Sequence, residues 1–267
     1  MLLVEIEISD PSKYVSDAKV DEIALAYNQA YRERGQNKAG FPVDMERFVD
    51  LLEVSMLWEE IEEPYEAVFL ASYTPDNGGL ITINERHRRL FEERPDVYSS
   101  CLGHEVGHRV LRHHEHSAFS SEPPSLFSEL AVVQRVFHKS SWSQYGLTKE
   151  EVMKRKLMEQ EIAKKAIVSE QARQILAQLH NRFEPEWMFW QAEHFSLCLQ
   201  VPKDRLLELL EDGWDYASWR GIYRLGEHFV VSGSMMRRRL TKLKLIKVGD
   251  DGQPHAIQQT SQENLFN

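Results

Sequence analysis

Two histidines four residues apart, with a glutamate beside the first, place the tightest constraint on this chain: His104-Glu105-Val106-Gly107-His108. The spacing has chemical meaning on an α-helix. There residues i and i+4 stand one turn apart on one face, and both imidazoles can reach a single metal ion. The surrounding residues agree with a helix. Leu102, Val106, Val110 and Leu111 give the segment 97–113 an apolar side, so both histidines lie near a face that packs inward. Buried imidazoles and a buried carboxylate need partners, and a metal supplies them. Glu105 projects beside that face, in place to take a proton from activated water, and zinc is the expected ion. In a chain with 11 histidines the bare pattern arises by chance in roughly 1 case in 20. The apolar context therefore carries the reading, not the five letters. Nearby, His113, His114 and His116 read as a solvated cluster at the helix end, and Cys101 as a small buried hydrophobe.

The rest of the chain bounds the setting. Its 267 residues suffice for one large domain or two small ones. The charge sum, 32 minus 42, is −10, which excludes a globally basic nucleic-acid binder and leaves only a local patch for such a role. No apolar run approaches the 18 or so residues of a spanning helix, and the start, broken by Glu5 and Glu7, does not read as a secretory signal. Two cysteines make no disulfide framework, so a reducing, cytoplasmic compartment with no membrane association is expected.

Periodicity and turn signals divide the chain into elements. Residues 2–8 read as a short edge strand, 20–31 as an amphipathic helix begun near Asp17 or Asp21, and 42–52 as a second helix. The Pro75-Asp-Asn-Gly-Gly turn signal makes 66–84 a β-hairpin. After about residue 86 nearly everything looks helical. Residues 117–125 form a loop, and the capping box Thr148-Lys-Glu-Glu151 opens a charged helix over 148–181. An aromatic-rich helix follows over 186–200, then one between Pro202 and Gly213, then two near 216–228 and 234–245. The residues from 249 to 267 read as a polar, frayed tail. Trp and Tyr at 187, 190, 214, 216 and 219 read as core. The basic stretch with Arg237, Arg238, Arg239, Lys242, Lys244 and Lys247 has two readings. It is either a recognition helix offering charge to DNA phosphates, or a solvated face with Met235, Leu240 and Leu243 packed inward.

Four stretches together resemble the ImmA/IrrE family of zinc-dependent metallopeptidase-like proteins. Gly78-Gly79-Leu80-Ile81-Thr82-Ile83-Asn84 looks like its glycine-led strand, and Leu102-Gly103-His104-Glu105-Val106-Gly107-His108 like its HExGH helix. Trp190-Gln191-Ala192-Glu193-His194-Phe195-Ser196, continued by Leu199-Gln200-Val201-Pro202, resembles its second signature. A weaker likeness joins Phe229-Val230-Val231-Ser232 and Arg239-Leu240 to its helix-turn-helix-like end. The likeness spans residues 17–247.

The resemblance implies an α+β, mainly α fold. A zincin-like peptidase domain with a small antiparallel sheet would occupy residues 1–200, with a helical insertion over 117–181. A helix-turn-helix-like part over 201–248 would pack on it. It also implies a Zn²⁺-dependent hydrolase in which His104 and His108 bind the metal and Glu105 is the general base. The partner would be a protein substrate such as a helix-turn-helix repressor or an antitoxin, in a phage or other mobile-element setting. One position departs from the family. Its third ligand is a glutamate where this chain has Phe189. Glu193, one turn on, is the replacement first in line, with Glu186 second and His194 third. Two alternatives stay open: a catalytically impaired module that binds a partner, and a DNA-binding regulator using Arg237, Arg238, Arg239 and Lys242.

Overall fold

The computed structural model describes residues 14–34, 41–61, 70–75, 78–115, 136–137 and 186–257. The expected strand over 2–8, the loop over 117–125, the helix over 148–181 and His116 lie outside the described residues.

Helix α1 (Asp17–Arg34) begins with an acidic residue and ends with two basic ones, which complements the helix dipole. Helix α2 (Met45–Leu51) starts three residues later than Pro42 suggests. Asp44 caps it by accepting from the Arg47 amide at 3.1 Å. Strands β2 (Ala71–Thr74) and β3 (Leu80–Asn84) form the expected hairpin, registered Ala71 against Ile83 through Thr74 against Leu80. Gly78 and Gly79 enter β3 at φ +93° and +107°, where a side chain would strain the backbone. The expected antiparallel sheet is in fact mixed. Strand β1 (Ser55–Glu59), which periodicity does not reveal, lies parallel to β3 on its other edge. It alternates exposed and half-buried residues, and Ser-Met-Leu-Trp-Glu carries no β-branched side chain to mark it. Strand β4 (Val136–Phe137) pairs with β2 and closes the order β1-β3-β2-β4.

A short 3₁₀ turn, Glu85–His87, leads into α3 (Arg88–Glu93) and then α4 (Pro95–Val110). Helix α4 starts on Pro95, whose missing amide proton costs nothing in a first turn. It stops at Val110, so His113 belongs to a separate 3₁₀ turn, His113–Glu115. Helix α5 (Glu186–Gln200) matches its expected bounds and is buried throughout 191–200. Helices α6 (Lys203–Glu211), α7 (Trp219–Phe229) and α8 (Gly233–Lys242) follow. The expected tail contains structure as well: β6 (Pro254–Ala256) pairs antiparallel with β5 (Ile246–Val248). Asp250-Asp251-Gly252 makes the intervening turn, with Gly252 at φ +72°.

Two cores meet on α5. Phe195, Cys198 and Leu199 join α1, α2, α4 and the larger sheet, while Leu197 and Val201 join α6, α7, α8 and β5. The architecture is thus α+β and mainly helical, with two small sheets. Helix α4 lies against α5 at glycines. A Cβ on Gly107 would stand 2.8 Å from the Ala192 Cα, and one on Gly103 would meet Ser196 and Gln200. Bare backbone at these two positions lets the helices approach closely, which brings the histidines of α4 against the side chains of α5.

Candidate metal centre

The four leucine and valine side chains expected to anchor α4 are buried, and so are His104, Glu105 and His108. The two imidazoles turn toward each other, with Nε2 of His104 3.0 Å from Nε2 of His108. Their outer nitrogens are held as well. His108 Nδ1 is 2.8 Å from His113 Nδ1, and His113 Nε2 is 3.1 Å from Gln191 Oε1. His104 Nδ1 is 3.4 Å from Glu193 Oε1, and the other oxygen of Glu193 accepts from Arg238 Nη2 at 2.9 Å. Buried donors on α4, α5 and α8 thereby form one chain through the pair of histidines.

The proton positions follow from the far end of that chain. Gln191 donates its amide nitrogen to the Val15 carbonyl at 2.6 Å, so its oxygen faces His113 as an acceptor. A neutral His113 then carries its proton on Nε2 and offers a bare Nδ1. His108 therefore donates from Nδ1, which leaves its Nε2 a lone pair. Beside the carboxylate of Glu193, His104 likewise keeps its proton on Nδ1. Two lone pairs then face each other at 3.0 Å. They repel unless a cation lies between them. Two ligands of a tetrahedral zinc ion are separated by about 3.3 Å. The geometry fits a metal, and the outer contacts are those that orient metal-binding imidazoles.

Three expectations change here. His113 is buried rather than solvated and holds His108. Glu193, expected as third ligand, meets His104 at its outer nitrogen, so its visible role is to orient that ring and to pair with Arg238. The reason is the offset of one turn from position 189, where the Phe189 ring lies 5.1 Å from that of His104. Glu186 stands at the first position of α5, and His194 bonds elsewhere, to the Asp17 carbonyl at 3.3 Å. Cys101 is buried, as expected of a small hydrophobe. Burial, then the charges of Glu105 and Glu193, push its thiol well above the ordinary cysteine range.

Among the described residues, Asp21, His194 and Cys198 form a buried group whose ligand atoms lie within 4.8 Å of one another and could hold a metal ion. Arg239 already places a cation there. Its guanidinium reaches both oxygens of Asp21, at 2.9 and 2.7 Å, and the Cys198 sulfur at 3.1 Å. Burial drives the Cys198 thiol up to about 12, with Arg239 opposing, so it remains protonated. Arg239 is itself wholly buried, which removes it from the four cations expected to meet phosphates. Arg238 and Lys242 are likewise turned inward, onto Glu193 and onto Asp17 at 2.6 Å, while Arg237 is exposed. Trp190, expected in the core, is 49% exposed.

No protein-family model matches the chain, and no curated protein matches it either. No helix among the described residues is long and apolar enough to cross a membrane.

Proposed function

We propose that this chain is a zinc-dependent metallopeptidase of the ImmA/IrrE type that cleaves a regulatory protein, such as a helix-turn-helix repressor or an antitoxin, in the cytoplasm. One observation carries the reading: the two Nε2 lone pairs of the HExxH histidines converge at 3.0 Å, each ring fixed from behind. The resemblance of α4 and α5 to the family's two signatures supports the zincin-like fold. The succession of α7 and α8 supports the helix-turn-helix-like end.

The residues divide the work. His104 and His108 hold the ion, and Glu193 and His113 keep the two rings in the binding orientation. A divalent ion at this point supplies Lewis-acid polarisation of the scissile carbonyl and lowers the pKa of water. Glu105, fully buried on the same helix, takes a proton from the attacking water and returns it to the leaving amine. Its burial keeps that carboxylate out of bulk water, where its basicity would be lower.

Elemental analysis of untreated protein tests the proposal, with near-stoichiometric zinc expected. Glu105→Gln should keep the metal and lose cleavage, because the base is not a ligand. His104→Ala should lose the metal. Normal cleavage by Glu105→Gln, or a protein that takes up no zinc, overturns the proposal. A second reading rests on the Phe189 ring packed against His104: a module that binds its partner without cutting it. Partner binding that survives Glu105→Gln in a protein devoid of metal selects that reading.

A further inference from the structure

A cavity of about 380 Å³ opens beside the histidine pair, between the start of α1, the first half of α5 and α8. Its walls are aromatic. Trp187 meets Tyr14 edge-on at 6.4 Å, and Trp190 and Tyr14 are 49% and 63% exposed, unusually open for such side chains. Two cations, Arg238 and Lys242, and one carboxylate, Asp17, also line it. Burial and the Lys242 charge press the His194 side chain, on the same wall, down to about 4, so it adds no charge at neutral pH. The lining thus carries one positive charge in excess, inside a chain of net charge −10. Arg238 spends only Nη2 on Glu193. Its guanidinium has further N–H groups able to hold a carboxylate.

The cavity is joined to the candidate centre through two side chains of its own wall. Gln191 bonds His113, which bonds His108, and Arg238 bonds Glu193, which contacts His104. The volume suits one or two side chains rather than a cofactor. A single surplus cation suits a monoanion rather than a dianionic phosphate, which Asp17 would oppose.

We propose that this cavity is a substrate subsite that takes a glutamate or aspartate side chain, flanked by apolar residues, of the peptide presented to the HExxH centre. The inference rests on the peptidase reading, whose substrate class it narrows, yet binding can be read without turnover.

The test uses full-length Glu105→Gln protein and three acetylated, amidated pentapeptides, Ala-Leu-X-Leu-Ala, in which X is Glu, Gln or phosphoserine. Binding is followed through the indole N–H signals of Trp187 and Trp190, with Trp190→Phe providing the assignment. The Glu peptide should shift both signals saturably, with a Kd no weaker than about 1 mM. The Gln peptide should bind about tenfold more weakly. Lys242→Gln should erase that preference, and Arg238→Gln should do the same where it folds. Equal binding of the Glu and Gln peptides, shifts that spare Trp187 and Trp190, no saturable binding, or tighter binding of the phosphoserine peptide each overturn the proposal. Cleavage of a protein substrate by the unmodified enzyme without any carboxylate preference removes the subsite and leaves hydrolysis standing. Charge-selective binding in a protein that holds no metal does the reverse.

Discussion

Gln191 gives its amide N–H to the carbonyl of Val15, just before α1, at 2.6 Å, and this contact sets the proton on a histidine of α4. With the nitrogen so committed, the oxygen must accept from His113, and His108 is left with a bare Nε2. Gln191→Leu removes the acceptor while keeping the side chain about the same size. Metal affinity, read by competition with a chromophoric chelator, should fall about 10- to 100-fold. Stability should fall by about 1–3 kcal/mol from the unmet His113 donor. Unchanged affinity would show that His113 does not orient His108.

Glu193 is 3% exposed and pairs with Arg238 of α8. Removing the guanidinium leaves a buried carboxylate without its cation, so Arg238→Gln should cost about 3 kcal/mol in urea unfolding. Glu193→Gln/Arg238→Gln together should recover most of that loss, because no buried charge is then stranded. Additive losses in the double variant would mean that the two side chains do not act as a pair.

These contacts mark the limit of what the sequence discloses. The helix bearing His104, the hairpin over β2 and β3, and the bounds of α5 follow from apolar spacing, turn residues and Pro185, all local signals. The β1 strand does not, because its pairing with β3 is made by residues 25 positions away and its own alternation is weak. His113 stands beyond the end of α4, where helix periodicity says nothing about burial, and only its contact with Gln191, 78 residues on, fixes it. Arg238, Arg239 and Lys242 look like a basic face in the sequence. Their partners Glu193, Asp21 and Asp17 lie 45 to 225 positions away, so the inward turn of those charges is invisible before folding.

Gly107 faces Ala192 so closely that an added Cβ would stand 2.8 Å from the Ala192 Cα and 3.0 Å from its carbonyl oxygen. Backbone cannot swing aside as a side-chain end can. Gly107→Ala should gain up to about 1 kcal/mol of helix propensity. It should lose about 1–3 kcal/mol to overpacking, for a net loss. The melting temperature should drop by roughly 2–4 °C per kcal/mol lost. Metal affinity should fall too, since α5 carries the groups that hold both rings. At Gly103 the nearest atoms belong to the Ser196 and Gln200 side chains, and Gly103→Ala should cost less. An equal or smaller loss at position 107 would show that the α4–α5 approach is not limited there.

His194 supplies a pH signature distinct from the metal centre. Burial, then the positive charge of Lys242, holds its imidazole down to about 4, while Asp17 and Asp21 oppose the shift and Arg239 adds to it. The unfolded chain takes up that proton near pH 6.5 and the folded chain only near 4, so the folded state is favoured above 6.5. Stability should therefore decline as pH falls from about 6.5 toward 4, by an amount of order 3 kcal/mol from this residue. Urea midpoints of the parent and of His194→Gln, measured at matched pH values across that window, isolate the contribution. The difference between their two slopes is attributable to His194, because the other buried histidines are common to both. The variant should show the flatter dependence, and parallel curves would mean that His194 is not held neutral by its surroundings.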